Sequence, residues 1–433
     1  MRWIAVLAGS AAAVLAPAAG LAGDEGDVVR VPQDYEDVQE AVDAAEPGDT
    51  ILIDAGVYPG DVIVQKHDLT IRGVDRNEVV FDGEDERTNA IEVDGADHVT
   101  IENMTAHNFT ANGFYWEEAD GFTGRYLTVW NVGLYGVYAI DSRDGLFEHS
   151  YVSGAADAAF YIGECRPCDT VLTDLTARYS SVGYSGTNAS GGIVIKDSLW
   201  ELNGTAIMTN SYNEEDFPPQ GSALITGNTI RNSGMEPTPN TSPLGGFHGI
   251  GIAIAGGVEN IVEGNTVTGS ATYGIALYPT VQREGPPWAP EDNVIRDNIV
   301  EGSLVADIAL SDGSGAGNCF ADNSFGTSLP REIEEGFACG TETEADGDTS
   351  VAAELAIPIP EALDRLGERP DYTAMPEPGP QSNMPLDQES SQTLAASSDD
   401  GDDWAPWVVG AAIGFGLALA AVAGGWLLWR RGR

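Results

Sequence analysis

Basic charge is scarce in this chain. Its 433 residues hold 20 Lys+Arg against 68 Asp+Glu, a net charge of -48, and Lys66 and Lys196 are the only lysines. A surface of that sign repels a phosphate backbone, which excludes nucleic acid as a partner. It also repels acidic polysaccharide unless a local basic strip or a bridging cation offsets the field. Acid-rich, lysine-poor surfaces stay soluble in strong salt, where self-repulsion is screened. Cysteine is scarce too: 4 in a chain this long cannot form a small disulfide framework. His67, His98, His107, His149 and His248 include no two at metal-motif spacing, which speaks against a copper or zinc centre. Between its two ends the chain has no long apolar run. Hydrophobic residues still make up 42% of it, too many for a wholly disordered protein.

The two ends differ from the middle. Arg2, the apolar stretch Ile4 to Leu15 and the small residues Ala18 to Ala22 read as a signal peptide over 1–23, cleaved near Ala22 or Gly23. Val408 to Trp429 carries no charge, and its 22 positions reach about 33 Å as a helix, enough to cross a bilayer. Trp404 and Trp407 flank it on one side, Trp426 and Trp429 on the other. Acidic residues precede it, and Arg430, Arg431 and Arg433 follow. That charge step predicts a transmembrane anchor with a short basic cytoplasmic tail over 406–433. The main domain is then expected outside the cell. Residues 341–405, rich in Pro, Ser and acid, are expected to form a linker, with Leu355 to Leu363 apolar enough to lie along the domain. In an oxidising compartment Cys319 and Cys339 can staple the end of the folded part. Cys165 and Cys168 can close a tight loop; a lone CxxC is a weak zinc signal, and Asp169 after Cys168 excludes haem attachment.

The middle repeats itself. Gly113-Phe-Tyr, Gly136-Val-Tyr, Ala159-Phe-Tyr and Val182-Gly-Tyr recur every 23 residues. A second unit runs through Ile193-Val-Ile-Lys-Asp-Ser, Leu224-Ile-Thr-Gly-Asn, Ile261-Val-Glu-Gly-Asn and Val294-Ile-Arg-Asp-Asn. Each piece is a short alternating strand bounded by Gly, Asn or Asp. Such a period suits one coil of a right-handed solenoid of parallel strands, with Ile195, Ile225, Val262 and Ile295 stacked inside. Asn at the turns would tolerate the left-handed region and form a hydrogen-bonded ladder. A leucine-rich horseshoe lacks its leucine spacing here. Tyr35 to Ala45 reads as an amphipathic helix capping the first coil, and Thr50 to Asp54 as the first strand.

The run Val38 to Ile51, with Gly56-Val-Tyr58 and the coils that follow, resembles the pectate-lyase-like right-handed parallel β-helix superfamily, above all branches with NosD-like repeats. The expected fold is all-β: a single-stranded right-handed parallel β-helix over 24–340 with an N-terminal helical cap and a C-terminal transmembrane helix. The resemblance implies polysaccharide lyases, hydrolases, esterases and epimerases, but also phage spikes and non-catalytic surface proteins. No catalytic motif of those enzymes is matched: the Asp pairing and Gly-His-Gly of the hydrolases, the Arg pattern of the lyases and the Asp pair of the esterases are all missing.

Candidate sites therefore come from the repeat's own columns. Tyr115, Tyr138, Tyr161 and Tyr184 share one period and would point outward as a platform for sugar rings. Glu118, Asp141 and Glu164 keep the same period, as do Arg143 and Arg166. Stacked carboxylates repel, and a cation, calcium above all, relieves them. In lyase or epimerase chemistry that cation neutralises the uronate while a base takes the adjacent proton. Tyr161, Glu164, Arg166 and Lys196 are the catalytic candidates, with His149 a weaker base. Tyr115, Tyr138, Tyr184 and Arg143 would hold substrate, and Glu118, Asp141 and Glu164 a calcium ion; no cofactor is required. The expectation is a surface-anchored protein that binds or processes polysaccharide or a cell-envelope glycan. The alternatives are a non-catalytic scaffold or adhesion protein and a NosD-like accessory to a copper enzyme. Whether it is an enzyme, and its oligomeric state, stay open.

Overall fold

The computed structural model describes residues 26–239, 248–280, 282, 284–341, 346–351 and 369–385. The expected signal peptide and the expected membrane span lie outside these residues. Among the described residues no helix is long and apolar enough to cross a membrane.

Each coil contributes to three faces, so three parallel stacks run along the domain. The first face starts at Val28–Val31 and Thr50–Ile53 and ends at Cys319–Ala321; the second runs from Gly56–Tyr58 to Ser324–Phe325. These two share a 21-stranded sheet, because Thr100–Phe109 and Thr123–Val132 pass unbroken around the corner. The third face is an 11-stranded sheet from Val62–Val64 to Ser328–Leu329. Strand pairing is parallel, as the repeat requires.

Strand alternation fills the interior. Ile195, Ile225, Val262 and Ile295 pair in successive registers and are fully buried, with Ile51, Ile71, Ile101, Phe147, Leu172 and Phe320 in the same column. Each such side chain contributes roughly 1.5–3 kcal/mol of transfer free energy. Gly124 is the one gap: a Cβ there would stand 3.0 Å from Trp116 and 3.1 Å from Phe147, whose rings occupy the space.

Two amide ladders fix the corners. Asn228, Asn265, Asn298 and Asn323 donate one to the next at 2.9–3.0 Å. Gln220, Asn260, Asn293 and Asn318 do the same between the third and first faces at 2.8–3.0 Å. The ladder is as expected, but its Asn are not the left-handed residues. The bend sits one residue earlier, at Gly227, Gly264 and Asp297 with φ of 66°, 65° and 56°. The Asn side chain is then free to turn inward.

A helix, Val38–Ala44, is capped by Asp37, whose carboxylate accepts from Gln39 N at 2.8 Å. Its Val38, Ala41 and Val42 enter the core against the first strands of the first and third faces. At the other end Cys319 is bonded to Cys339. Of the linker expected over 341–405, the described residues beyond 341 are 346–351 and 369–385, and they lie against the solenoid. Asp348 N bonds Leu310 O at 2.8 Å and Val351 is buried, while residues 369–385 run back along the solenoid as a strap. The Asn383 side chain and the Gln381 main chain find partners on the coils, which composition alone does not reveal.

Candidate functional site

The third face carries the tyrosines. Phe114, Val137 and Phe160 point inward, so Tyr115, Tyr138 and Tyr161 point outward in register. Ring centroids lie 4.6 Å apart between Tyr115 and Tyr138 and 4.9 Å between Tyr138 and Tyr161. Tyr135, at the start of Tyr135–Ile140, adds its ring 4.6 Å from Tyr138 and 4.9 Å from Tyr161.

This row is not the open platform that the spacing suggests. Tyr138 is 9% exposed and Tyr161 5%, while Tyr115 and Tyr135 are half-buried. The cover is the insert 211–220. Asn188 holds it, donating to Tyr212 O at 2.8 Å and Glu215 O at 3.1 Å and accepting from Tyr212 N at 2.9 Å. Asp216 N donates to Glu164 Oε2 at 3.0 Å, and Ser190 Oγ to Pro219 O at 3.0 Å. Arg166 reaches Ser190 Oγ at 3.2 Å and Pro219 O, so its guanidinium fastens the insert.

Tyr184 leaves the row altogether. Its strand pairs Phe160 with Tyr184 and Tyr161 with Ser185, which turns Tyr184 into the core at 1% exposure. The coil is one residue longer here, and a one-residue slip exchanges the faces. The extra length enters with the loop that the Cys165–Cys168 disulfide closes.

The carboxylates also regroup. Glu118, Asp141 and Glu164 do occupy equivalent left-handed corners, with φ of 51°, 48° and 52°. The oxygens that converge, however, belong to Asp141, Glu164 and Asp216, all within 4.8 Å of one another. Asp216 of the insert takes the place expected of Glu118. Burial, then Glu164 and Asp216, pushes the Asp141 carboxyl up. Burial, then Glu164 and Asp157, lifts Glu215 to about 7, and one of its oxygens is buried without a hydrogen-bond partner. Burial likewise lifts Asp157 to about 6, while its hydrogen bond from Tyr135 pulls the other way. Burial foremost raises the phenols of Tyr115, Tyr135, Tyr138 and Tyr161. Burial thus favours the protonated form of Tyr161, in which the phenol donates.

Other candidates lie elsewhere. Arg143 is paired with Asp120 at 2.6 Å. Lys196 ends a first-face strand and lies 3.9 Å from Asp197, on a different sheet from Tyr161. His149 stacks on Tyr126 at the corner between the first and second faces, with centroids 4.7 Å apart. Sequence reasoning passed over Glu215, Asp157 and Tyr135. None recurs with the repeat, and only the insert's acidic run, Glu214-Glu-Asp216, hinted at the first.

Comparison with known proteins agrees with the strand stacks. The family model for the right handed beta helix region matches residues 112–282 and 219–329. No curated protein sequence matches. Among solved structures, the chain is similar to the A-module of the mannuronan C-5 epimerase AlgE4 of Azotobacter vinelandii, with 16% identity, a TM-score of 0.47, and 69% of this chain and 92% of that one covered. It is also similar to a mannuronic acid specific polysaccharide family 6 lyase from human gut microbiota, with 11% identity, a TM-score of 0.42, and 69% and 82% covered. For an alginate lyase from Paenibacillus sp. str. FPU-7 the values are 13%, 0.35, 70% and 99%.

Proposed function

The chain belongs to the right-handed β-helix family, and from that premise we propose that it is a surface protein that binds an extended acidic polysaccharide along its third face. A divalent cation would bridge the glycan to Asp141, Glu164 and Asp216. The observation that carries this reading is the convergence of those three carboxylates within 4.8 Å at the edge of the tyrosine row. A bridging cation offsets the repulsion between two acidic polymers. An all-oxygen set suits calcium and not the copper of an accessory protein. Tyr115, the least covered of the row, offers a ring edge and a hydroxyl to the sugar.

Any proton transfer at this site falls to Glu215. A carboxyl with a pKa of about 7 can both give and take a proton at neutral pH. The second reading is a non-catalytic scaffold, and the observation that favours it is the closure of Tyr138 and Tyr161 under the insert. In either reading helix Val38–Ala44 caps the first coil, the signal peptide exports the chain, and Val408 to Trp429 tethers it with the solenoid outside. Protease added to intact cells is then expected to release the solenoid.

The test of function is the purified protein against uronate and neutral polysaccharides, with calcium or with chelator. Calcium-dependent binding to uronates, weakened at least ten-fold by Asp216→Asn or Glu164→Gln, is expected. Ultraviolet absorbance reads unsaturated products, and reducing ends read hydrolysis. Turnover that Glu215→Gln removes while binding persists identifies an enzyme. Calcium-independent binding, or none across the panel, sinks the cation-bridged reading.

A further inference from the structure

The strap over residues 371–385 leaves its mark on the second face, away from the tyrosine row. From Met375 onward every third residue is turned toward the coils: Met375, Pro378, Gln381 and Met384 are half-buried, and the pairs between them are exposed. A period of three is that of polyproline II, which needs no internal hydrogen bonds and is already extended before it binds. Met375 itself has φ -70° and ψ 145°, and Asp371 φ -68° and ψ 132°, both in that region. Pro376, Pro378 and Pro380 hold the same conformation at little entropic cost.

The groove is built to receive it. At one end Gly154, with φ +69°, leaves room for Met375; a Cβ there would stand 2.9 Å from that side chain. Asn131 Nδ2 donates to Thr373 O at 3.4 Å beside it. At the other end Asn77 makes a two-way bond with the Gln381 backbone, at 2.8 and 2.9 Å. Arg76 donates from Nη1 to Ser382 O at 3.1 Å, and its backbone N to Asn383 Oδ1 at 2.6 Å. Asn103 Oδ1 accepts from Met384 N at 3.0 Å. Arg76 is 3% exposed, and among the described residues its guanidinium donates to Thr128 Oγ1 and to carbonyls and to no carboxylate. Between the two ends Thr105 and Thr128 are 3% exposed, and His107 stacks on Trp130 at 4.3 Å. Main-chain carbonyls are thus read at several points, as peptide grooves for proline-rich segments do.

We propose that this second-face groove is a recognition site for a proline-rich segment in polyproline II form, and that the partner it fits is the same strap from a second copy of this chain. The strap joins no sheet and closes no helix longer than the single 3-10 turn Tyr372–Ala374. No strand pairing therefore has to break for it to leave. The stretch from Val351 to Arg369 can extend to about 60 Å, far enough to deliver a strap to a neighbour's groove. The groove that it vacates then takes the neighbour's strap in return, an isologous exchange that closes at two copies.

Cysteine pairing in the full chain tests this, since the four native cysteines are all in disulfides. A chain carrying both Asn77→Cys and Gln381→Cys is expected to close on itself, which reports the strap in its own groove. A mixture of the two single variants is expected to give a mixed disulfide dimer. Its initial rate should rise with the square of total chain concentration, and an excess of synthetic peptide spanning 371–385 should suppress it. Failure of the double variant to close removes the groove. No mixed dimer at concentrations where the double variant closes means that the strap never leaves its own chain, and the exchange is wrong. Mixed dimers that the peptide leaves untouched come from random collision and overturn it as well.

Discussion

Glu215 is the buried carboxyl of the insert, and it ties the closed form to pH. Its folded pKa of about 7, and that of Asp157 at about 6, lie above the ordinary carboxyl values of 4.5 and 3.8. A raised carboxyl favours the neutral form in the closed state, so its contribution is greatest below about pH 4 and is lost as pH climbs through 6 to 7. His248 has the opposite sign. Burial lowers it to about 4 from 6.5, so its contribution is present above 6.5 and lost on acidification. A global melt would mix the two effects, whereas amide exchange at Tyr212 and Asp216 reads the insert alone. After correction for intrinsic rates, their protection is expected to fall roughly ten-fold between pH 5.5 and 7.5. Glu215→Gln should flatten that profile; an unchanged slope in the variant would assign it to another group. None of this was readable in the sequence, because Glu215 lies in a segment outside the repeat, and its neighbours Tyr135 and Asp157 come from other coils.

At the scale of elements, the repeat disclosed what recurs and hid what slips. The interior column from Ile195 to Ile295 could be assigned residue by residue, since an apolar strand keeps its place however long the turns between coils are. Tyr184 could not: a constant count of 23 fails where the coil gains a residue, and alternation then reverses the side chain. Glu118, Asp141 and Glu164 were legible as a column of corners, but which of them meet was decided by Asp216 on the insert. The Asn ladder makes a sharper prediction. Asn228 accepts from Ser198 N at 3.3 Å and Trp200 Nε1 at 3.1 Å and donates to Ile195 O at 2.9 Å, all buried. Asn228→Leu strands those groups, and a loss of about 3 kcal/mol in urea unfolding is expected. A loss below about 1 kcal/mol would mean that water replaces the amide.

For the whole molecule, net charge dominates. With 68 acidic residues against 20 basic ones, folding gathers like charge into a smaller volume. The midpoint of thermal unfolding is expected to rise steadily with potassium chloride from 0.1 M upward, most steeply below about 1 M, where the screening length drops from about 10 to 3 Å. A midpoint that falls with salt would show that ion pairs such as Arg143–Asp120 outweigh the repulsion. The strap adds a mechanical property. Because it crosses back to Arg76 and Asn103, the chain departs from an early coil and not from the last one. A pull on whatever follows Met384 is therefore resisted first by a row of bonds loaded side by side, in shear. Only after these part would the load reach the final coil, where the Cys319–Cys339 bond prevents it from being unzipped one strand at a time.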